Sequence, residues 1–177
     1  MKEELDKKLI RDFPLLYGNR HASVESTAMC WGFSCNSGWY HIIWDLSSKL
    51  EPLIQKFIDV NPAAEDHPKA SQVKEKYGGL RFYMTHTNDE IFNLIAKAEA
   101  LSYKTCEDCG KPGKERDGGW IITHCDSCHE NWKETRRNSL LETADKVMDD
   151  HKSTFQKLAD ESCDGCGCNP CDCNWGI

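Results

Sequence analysis

The amino-acid sequence predicts an α+β protein in which helices pack with a β-hairpin and a treble-clef-like zinc unit follows, made of a knuckle, a hairpin and a helix. Apolar residues recur at helical spacing, a strand-like segment turns at two glycines, and cysteines form two Cys-x-x-Cys pairs. The 177 residues are 39% hydrophobic and 29% charged, a globular composition that excludes a disordered or collagen-like chain.

The N-terminal part begins with two predicted helices. Residues 3–17 carry an apolar stripe at helical spacing that stops near Pro14, because proline breaks a helix. Residues 37–60 carry a longer stripe, which we expect Pro52 to kink or divide. A turn-rich aromatic segment precedes this second helix, and the two prolines of residues 61–69 predict a loop after it.

A hairpin and a third helix complete a predicted core domain over residues 1–104. Residues 72–85 alternate apolar and polar side chains around a central glycine pair, as in two strands joined by a tight turn. Thr87 and Glu90 have the spacing of a capping box, which predicts the start of a helix over residues 88–103. A chain of about 100 residues can bury its own core, so we expect this domain to fold without metal.

Four cysteines define a second predicted domain, residues 105–150. Cys106 and Cys109 form one pair, Cys125 and Cys128 form the other, and 15 residues separate the pairs. This is the spacing of a four-thiolate zinc site. The second pair is predicted on the first turn of a long helix, whose dipole and free N–H groups stabilise thiolate charge. Four protein ligands leave no position for water or substrate, so the zinc is predicted to be structural.

The residues between the two cysteine pairs predict a hairpin. Gly110 supplies the permissive backbone that a zinc knuckle needs after its second cysteine. A turn at residues 111–114 and a second turn at Gly118–Gly119 precede a strand predicted at residues 120–123.

The C-terminal segment, residues 151–177, is rich in cysteine, and the sequence allows three states for it. Four of its thiols could wrap a second zinc: Cys163, Cys166, Cys168 and Cys171. The segment could instead be a thiol-rich tail without a fixed metal, or a tail with oxidised cysteine pairs. Cys30, Cys35 and His41 are candidate extra ligands by residue type alone, although the first two are better interpreted as small buried apolar residues.

Charge limits the partners that the protein can bind. The net charge is −7, and residues 138–177 carry three basic against eight acidic side chains. A protein that holds duplex DNA through its phosphates needs a basic footprint, which the chain lacks as a whole. Local basic clusters would still allow a small nucleic-acid-binding face: Lys114, Arg116, Lys133, Arg136 and Arg137.

Signatures of enzymes are missing, so we predict that the protein is not an enzyme. The second cysteine pair with His129 resembles the closing half of HNH endonucleases, but those enzymes need several histidines between the pairs, where this chain has only His124. The His-x-Glu and Pro-Cys-x-x-Cys signatures of zinc deaminases are absent. A phosphate-binding Gly-Lys-Ser/Thr loop is absent as well.

Two groups of surface or core candidates keep two interpretations each. Trp31, Phe33, Trp39 and Tyr40 are interpreted first as core residues and alternatively as a binding surface, since Trp and Tyr are common anchors. Arg81 and Tyr83, on the strand face opposite Phe82, form either a contact patch or a solvated face.

The compartment is predicted from the apolar pattern. No run approaches the roughly 18 apolar residues that cross a bilayer, and the first eight residues mix charges of both signs where a secretory signal needs an apolar stretch. We therefore expect a cytosolic protein without a membrane partner. In such a reducing compartment the 11 cysteines favour metal binding over disulfides.

Three segments occur in combination: Met29–Phe33 with Gly38–Tyr40, Val73–Tyr83, and a Cys106–Gly113 knuckle that leads to Trp120–Ile121 and Cys125–Asp126. This combination resembles a group of short zinc-finger proteins encoded by tailed bacteriophages, most of them without an assigned function. The likeness covers about residues 1–130 and leaves the cysteine-rich tail out. It implies a phage accessory protein that acts in the cytoplasm of the host bacterium, and it implies no reaction, substrate or catalytic residue.

Three functional hypotheses follow. The first is a non-enzymatic zinc-binding phage accessory protein that binds a host macromolecule, most economically by inhibiting a bacterial defence or regulatory protein. An acidic surface can imitate nucleic acid or meet a basic partner, which favours this hypothesis. The second is a nucleic-acid-binding zinc-finger protein that uses the five basic residues above. The third is a sponge for a small molecule or signal nucleotide, with its pocket among the aromatic residues of 29–44.

Overall fold

A computed structural model of the chain describes residues 1–64, 66–116, 119–154 and 156. The chain divides into two compact units, residues 1–130 and residues 131–177. The first unit contains the predicted core segment together with both Cys-x-x-Cys pairs, and it is a mixed helical and β-sheet structure.

The described residues form four α-helices and five strands. The helices are α1 (Glu3–Asp12), α2 (Tyr40–Val60), α3 (Asp89–Ser102) and α4 (Asp126–Asp150). The strands are β1 (Phe33–Ser34), β2 (Ala70–Lys76), β3 (Gly79–Met84), β4 (Lys114–Arg116) and β5 (Ile122–His124). Short 3-10 helical segments lie at Gly18–His21, Ala28–Trp31 and Ser37–Trp39.

A three-stranded sheet in the order β1-β2-β3 carries the predicted hairpin. Strands β2 and β3 pair antiparallel, with Val73 opposite Phe82, whereas β1 pairs with β2 in parallel, with Phe33 opposite Val73. Tyr77 and Gly78 alone join β2 to β3, and both have positive φ, +54° and +72°. This is the backbone twist that a two-residue hairpin turn requires.

The hydrophobic core lies between this sheet and the first three helices. Ala70 and Val73 of β2 and Leu80 and Phe82 of β3 are buried in one cluster with the apolar residues of α1 and α2. The largest fully buried side chains include Leu9, Leu16, Tyr17, Trp39, Ile43, Leu50, Ile54 and Leu80. Tyr17 contacts Phe33 edge-on and donates or accepts a 2.6 Å hydrogen bond with Ser47, so this buried phenol is paired.

The helix boundaries differ in part from those predicted. Helix α1 ends at Asp12, two residues before Pro14, and α2 begins at Tyr40 after a 3-10 turn. Pro52 lies inside α2 and does not divide it. The predicted capping box is wrong, because the Ile91 N–H donates to Asn88 Oδ1 at 2.9 Å and α3 starts at Asp89.

The aromatic segment before α2 is mainly core, as its first interpretation held. Phe33, Trp39 and Tyr40 are buried, whereas Trp31 is 74% exposed. Cys35 is buried and Cys30 is half-buried, with its Sγ donating to a backbone carbonyl. Trp31 is therefore the one aromatic residue of these four whose side chain is mainly accessible to a partner.

The hairpin between the cysteine pairs is shorter than predicted. Strands β4 and β5 pair antiparallel, with Glu115 opposite Thr123. Residues 120–123 do not form one strand, because β5 begins at Ile122 and Trp120 and Ile121 lie exposed before it. Helix α4 follows as one helix of 25 residues, and its apolar residues Leu140, Leu141, Val147 and Met148 are exposed.

Candidate metal centre

Four cysteine sulfurs converge on one point of the first unit. The Sγ atoms of Cys106, Cys109, Cys125 and Cys128 all lie within 4.8 Å of one another, and those of Cys109 and Cys125 are 3.6 Å apart. A tetrahedral metal with bonds of about 2.3 Å to sulfur holds its ligands about 3.8 Å apart. The four sulfurs are therefore placed so that they could hold a metal ion.

The first pair is positioned by a tight backbone knuckle. The Cys106 N–H donates to Lys111 O at 2.8 Å, and the Gly110 N–H donates to Cys106 O at 2.9 Å. Gly110 has a φ of +75°, so the glycine that the sequence places here is required by the turn. Burial raises the pKa of the Cys106 thiol, and backbone N–H groups of Cys125, Cys109 and Asp108 offset part of this increase.

The second pair sits at the N-terminus of α4. Cys125 precedes the helix and Cys128 lies in its first turn, where free N–H groups and the helix dipole stabilise negative charge. Ser127 Oγ lies 3.3 Å from Cys125 Sγ. The guanidinium of Arg116 on β4 pairs with the carboxylate of Asp126, which attaches the hairpin to the start of the helix.

Burial, hydrogen bonds and neighbouring sulfurs shift the pKa values of three of these thiols. The pKa of Cys125 is lowered to about 6, because the Ser127 hydroxyl and the Cys128 N–H stabilise its thiolate. Burial raises the pKa of both Cys106 and Cys128, and the neighbouring sulfurs raise that of Cys128 further. Four thiolates at this spacing repel one another, and a divalent cation between them would remove that penalty.

The knuckle is attached to the core segment through residues just before α2. The Gly38 N–H donates to Glu107 O at 2.7 Å, and the Trp39 indole N–H donates to Thr105 O at 2.8 Å. The Asn36 N–H donates to Glu107 Oε1 at 2.8 Å. Burial raises the pKa of Glu107 to about 7, with a further increase from nearby carboxylates.

A second attachment joins β5 and the Cys106–Cys109 knuckle to the turn of the β2–β3 hairpin. The Thr123 hydroxyl on β5 donates to Gly78 O at 2.6 Å in a buried position, and the Glu107 N–H donates to Thr123 O at 2.9 Å. His124 Nε2 lies 3.2 Å from Asp108 Oδ2. The knuckle, β5 and the hairpin turn therefore form one continuous hydrogen-bonded assembly.

Comparisons with known proteins find no matching family, no matching curated protein and no matching solved structure. The candidate centre therefore rests on its own geometry. None of the helices in the described residues combines the length and apolar composition that crossing a membrane requires.

The five predicted nucleic-acid-binding residues are divided between the two units. Lys114 and Arg116 lie in the first unit, and both face Asp126, with Arg116 only 13% exposed. Lys133, Arg136 and Arg137 lie in the second unit, where the Arg136 guanidinium stacks 5.2 Å from the centre of the Trp132 ring.

The predicted tail ligands lie outside the described residues: Cys163, Cys166, Cys168 and Cys171. Cys30 and Cys35 are not part of the four-cysteine cluster, nor is His41. In the part of the chain that the structure describes, the cluster of Cys106 with its three partners is the one group suited to a metal ion.

Sequence analysis missed the residues that attach the centre to the core. Gly38 is one of them: a Cβ built there would lie 2.3 Å from Cys106 O and 2.5 Å from Glu107 O. The Gly-Trp pair before a helix was a visible signal, but its partner about 70 residues away was not. Thr123 was interpreted as a strand residue only, because nothing near it in the sequence indicates that its hydroxyl donates to the distant Gly78 O.

Proposed function

We propose that this protein is a non-enzymatic zinc-binding protein whose metal shapes a surface for binding a macromolecule. The observation that carries the proposal is the convergence of four cysteine sulfurs within 4.8 Å. Zinc is favoured over iron because the thiolates come as two local pairs in a site without redox partners, and four sulfurs match its tetrahedral preference.

The proposal assigns zinc a structural role. Four protein ligands fill a tetrahedral coordination sphere, so no position remains for a reacting water or substrate. The order of a knuckle, a short β-hairpin and a helix that carries the second pair supports a treble-clef assignment. A structural metal in this position would hold β4, β5 and the start of α4 together.

The biological setting in this proposal is a bacteriophage accessory protein in the host cytoplasm. Its support is the resemblance of residues 1–130 to phage zinc-finger proteins and the acidic balance of residues 138–177. We propose a host protein as the partner, with inhibition of a bacterial defence or regulatory protein as the outcome, since an acidic surface suits a basic partner.

Metal content is the first test. We expect elemental analysis of the purified full chain to give at least one zinc per chain, and two if the tail cysteines hold a second ion. Substitution with cobalt should give the absorption of a tetrahedral thiolate site. Cys109→Ser should remove one metal equivalent, while Cys30→Ser, outside the cluster, should remove none. An unchanged metal content in Cys109→Ser would refute the zinc assignment.

Partner binding is the second test. Tagged protein, expressed in bacteria, is captured together with its partners, and both protein and nucleic acid are identified. We expect a specific host partner that is retained by Cys30→Ser and lost with Cys109→Ser. A partner captured equally well by both variants would separate binding from the metal, and capture of none would refute the binding function.

A further inference from the structure

A cavity of about 490 Å³ lies beside the turn of the β2–β3 hairpin. Lys74, Glu75, Lys76 and Tyr77 line it from the hairpin, and Gly119, Trp120 and Ile121 line it from the segment that leads into β5. Its volume is in the range of cavities that hold small ligands, about 300–1,000 Å³. We call these seven residues the hairpin groove.

Two aromatic rings of the hairpin groove are exposed to solvent. Tyr77 is 65% exposed and Trp120 is 60% exposed. Tyr77 also has a φ of +54°, a conformation that bulky side chains rarely adopt and that asparagine or glycine would adopt more easily. An exposed tyrosine in this backbone conformation marks the turn as a candidate functional position.

The charged side chains beside these rings are the basic Lys74 and Lys76 and the acidic Glu75, so positive charge is in excess. Lys74 is directly opposite Arg81 across the hairpin, an arrangement of like charges that weakens a sheet. Among the described residues, neither Lys74 nor Lys76 forms an ion pair, and the Lys76 ammonium lies 5.2 Å from the centre of the Tyr77 ring. The Glu75 carboxylate accepts the Gly78 N–H at 2.7 Å, which directs it to the turn.

The segment that leads through β5 to Cys125 forms one wall of the groove. A Cβ built at Gly78 would lie 3.1 Å from Ile121 Cγ2, so the hairpin turn and the Ile121 side chain are in close contact. Thr123, two residues later, donates to Gly78 O, and Cys125 follows on the same segment. The position of Trp120 relative to Tyr77 therefore depends on the strand that leads to the metal ligands.

We propose that the hairpin groove binds a nucleobase–phosphate unit, either as a free nucleotide or as part of a single-stranded nucleic acid. The base stacks on Trp120 and Tyr77, and Lys74 and Lys76 contact phosphate. Aromatic platforms beside cations are the general means of binding unpaired bases, because every base has a π-face. This inference goes beyond the proposed host-protein partner, because it assigns the first unit a site for a different class of ligand.

Duplex DNA fits the groove less well than an unpaired base. Base pairing and stacking hide the faces that the two rings would contact. The net charge of −7 also denies the chain the broad basic footprint that a duplex requires. The positive charge of the groove is local, which suits a short contact with one or two phosphates.

The test measures binding to zinc-loaded full-length protein by fluorescence anisotropy. The probes are a labelled short oligothymidylate, the same strand in a duplex, and unlabelled AMP and dTMP as competitors. We expect Trp120→Ala to weaken single-strand binding by about 5- to 150-fold, the range for loss of one base–aromatic stack. Trp31→Ala, which removes a similarly exposed tryptophan outside the groove, should leave the affinity unchanged.

Two further variants separate binding from folding and charge from stacking. Tyr77→Asn relieves the strained backbone, so it should keep or raise the thermal midpoint while it weakens binding at least about fivefold. Lys76→Gln should reduce the slope of log K against log salt by about 0.7, the value for one lost phosphate contact with a single strand. Lys7→Gln on α1, whose Nζ pairs with Glu3, is its control.

The outcomes decide between the two sources of the ligand. If AMP or dTMP displaces the oligonucleotide at a concentration close to the oligonucleotide's dissociation constant, the natural ligand is a free nucleotide. If much more mononucleotide is needed, the natural ligand is a single-stranded nucleic acid. Equal binding of duplex and single strand would overturn the inference, as would Trp120→Ala and Tyr77→Asn variants that bind as wild type. Failure of every probe would also overturn it, while zinc content and partner capture would still report on the proposed function.

Discussion

Replacement of Gly38 by alanine tests whether the Cys106–Cys109 knuckle is held against the core. The alanine Cβ would lie 2.3 Å from Cys106 O, 2.5 Å from Glu107 O and 2.5 Å from Gly110 N. All three are backbone atoms of the knuckle, so no side chain can rotate away from the clash. The knuckle or the start of α2 would have to move.

The cost has two parts. Overpacking of this kind destabilises a protein by about 1–3 kcal/mol. Displacement of the knuckle would also break the 2.7 Å hydrogen bond from the Gly38 N–H to Glu107 O, which contributes about 1 kcal/mol. We therefore expect Gly38→Ala to lower the free energy of unfolding by about 2–4 kcal/mol and to weaken zinc binding, because the sulfur of Cys106 moves with its backbone.

Guanidinium denaturation at constant free zinc measures the first effect, and competition with a chromophoric chelator measures the second. Gly18→Ala is the matched control, since its Cβ would come no closer than 3.7 Å to the Lys69 side chain. It should leave stability within about 1 kcal/mol or raise it slightly. Equal stability and equal zinc affinity in Gly38→Ala and wild type would refute the contact between knuckle and core.

Three other predictions concern single side chains. Thr123→Val should destabilise the protein by about 1–3 kcal/mol, because Gly78 O would lose its buried donor. The control Thr143→Val, on an exposed helix face, should change the free energy of unfolding by less than about 0.5 kcal/mol. Chemical denaturation measures both variants. Cys106→Ala should remove one zinc and speed hydrogen exchange at the Gly38 amide, whose acceptor is in the knuckle; protection unchanged from wild type would contradict this. Burial raises the pKa of Cys35 to about 12, so between about pH 7 and 10 its alkylation should rise about tenfold per pH unit without a plateau, as peptide mass spectrometry would show.

Local patterns in the sequence predicted most elements of the first unit. The stripe of residues 37–60 became α2, and the alternation around Gly78 became the β2–β3 hairpin, because period and turn chemistry are encoded within a few residues. The four cysteines of the candidate centre were predicted for the same reason. The spacing of two Cys-x-x-Cys pairs predicts that the four sulfurs share one metal ion, and this prediction does not require knowledge of the fold.

What sequence reasoning missed depends on partners that are distant in the chain. Strand β1 has two residues and exists only because β2 lies beside it. Asn88 replaced the predicted capping box because several side chains near a helix start compete for the same N–H groups. The ion pair of Arg116 with Asp126 was missed as well, since nothing local in the sequence indicates it.

The hairpin groove and the candidate metal site share one hydrogen-bonded segment, which has a thermodynamic consequence. If zinc orders β5, and β5 sets the position of Trp120 against Tyr77, zinc must raise the affinity of the groove for its ligand. Linkage is reciprocal, so the ligand must then raise zinc affinity by the same factor, for which about 5- to 150-fold is typical. Chelator competition with and without oligothymidylate measures this factor. Identical zinc affinities would show that contacts such as Thr123 to Gly78 hold the groove wall without help from the metal.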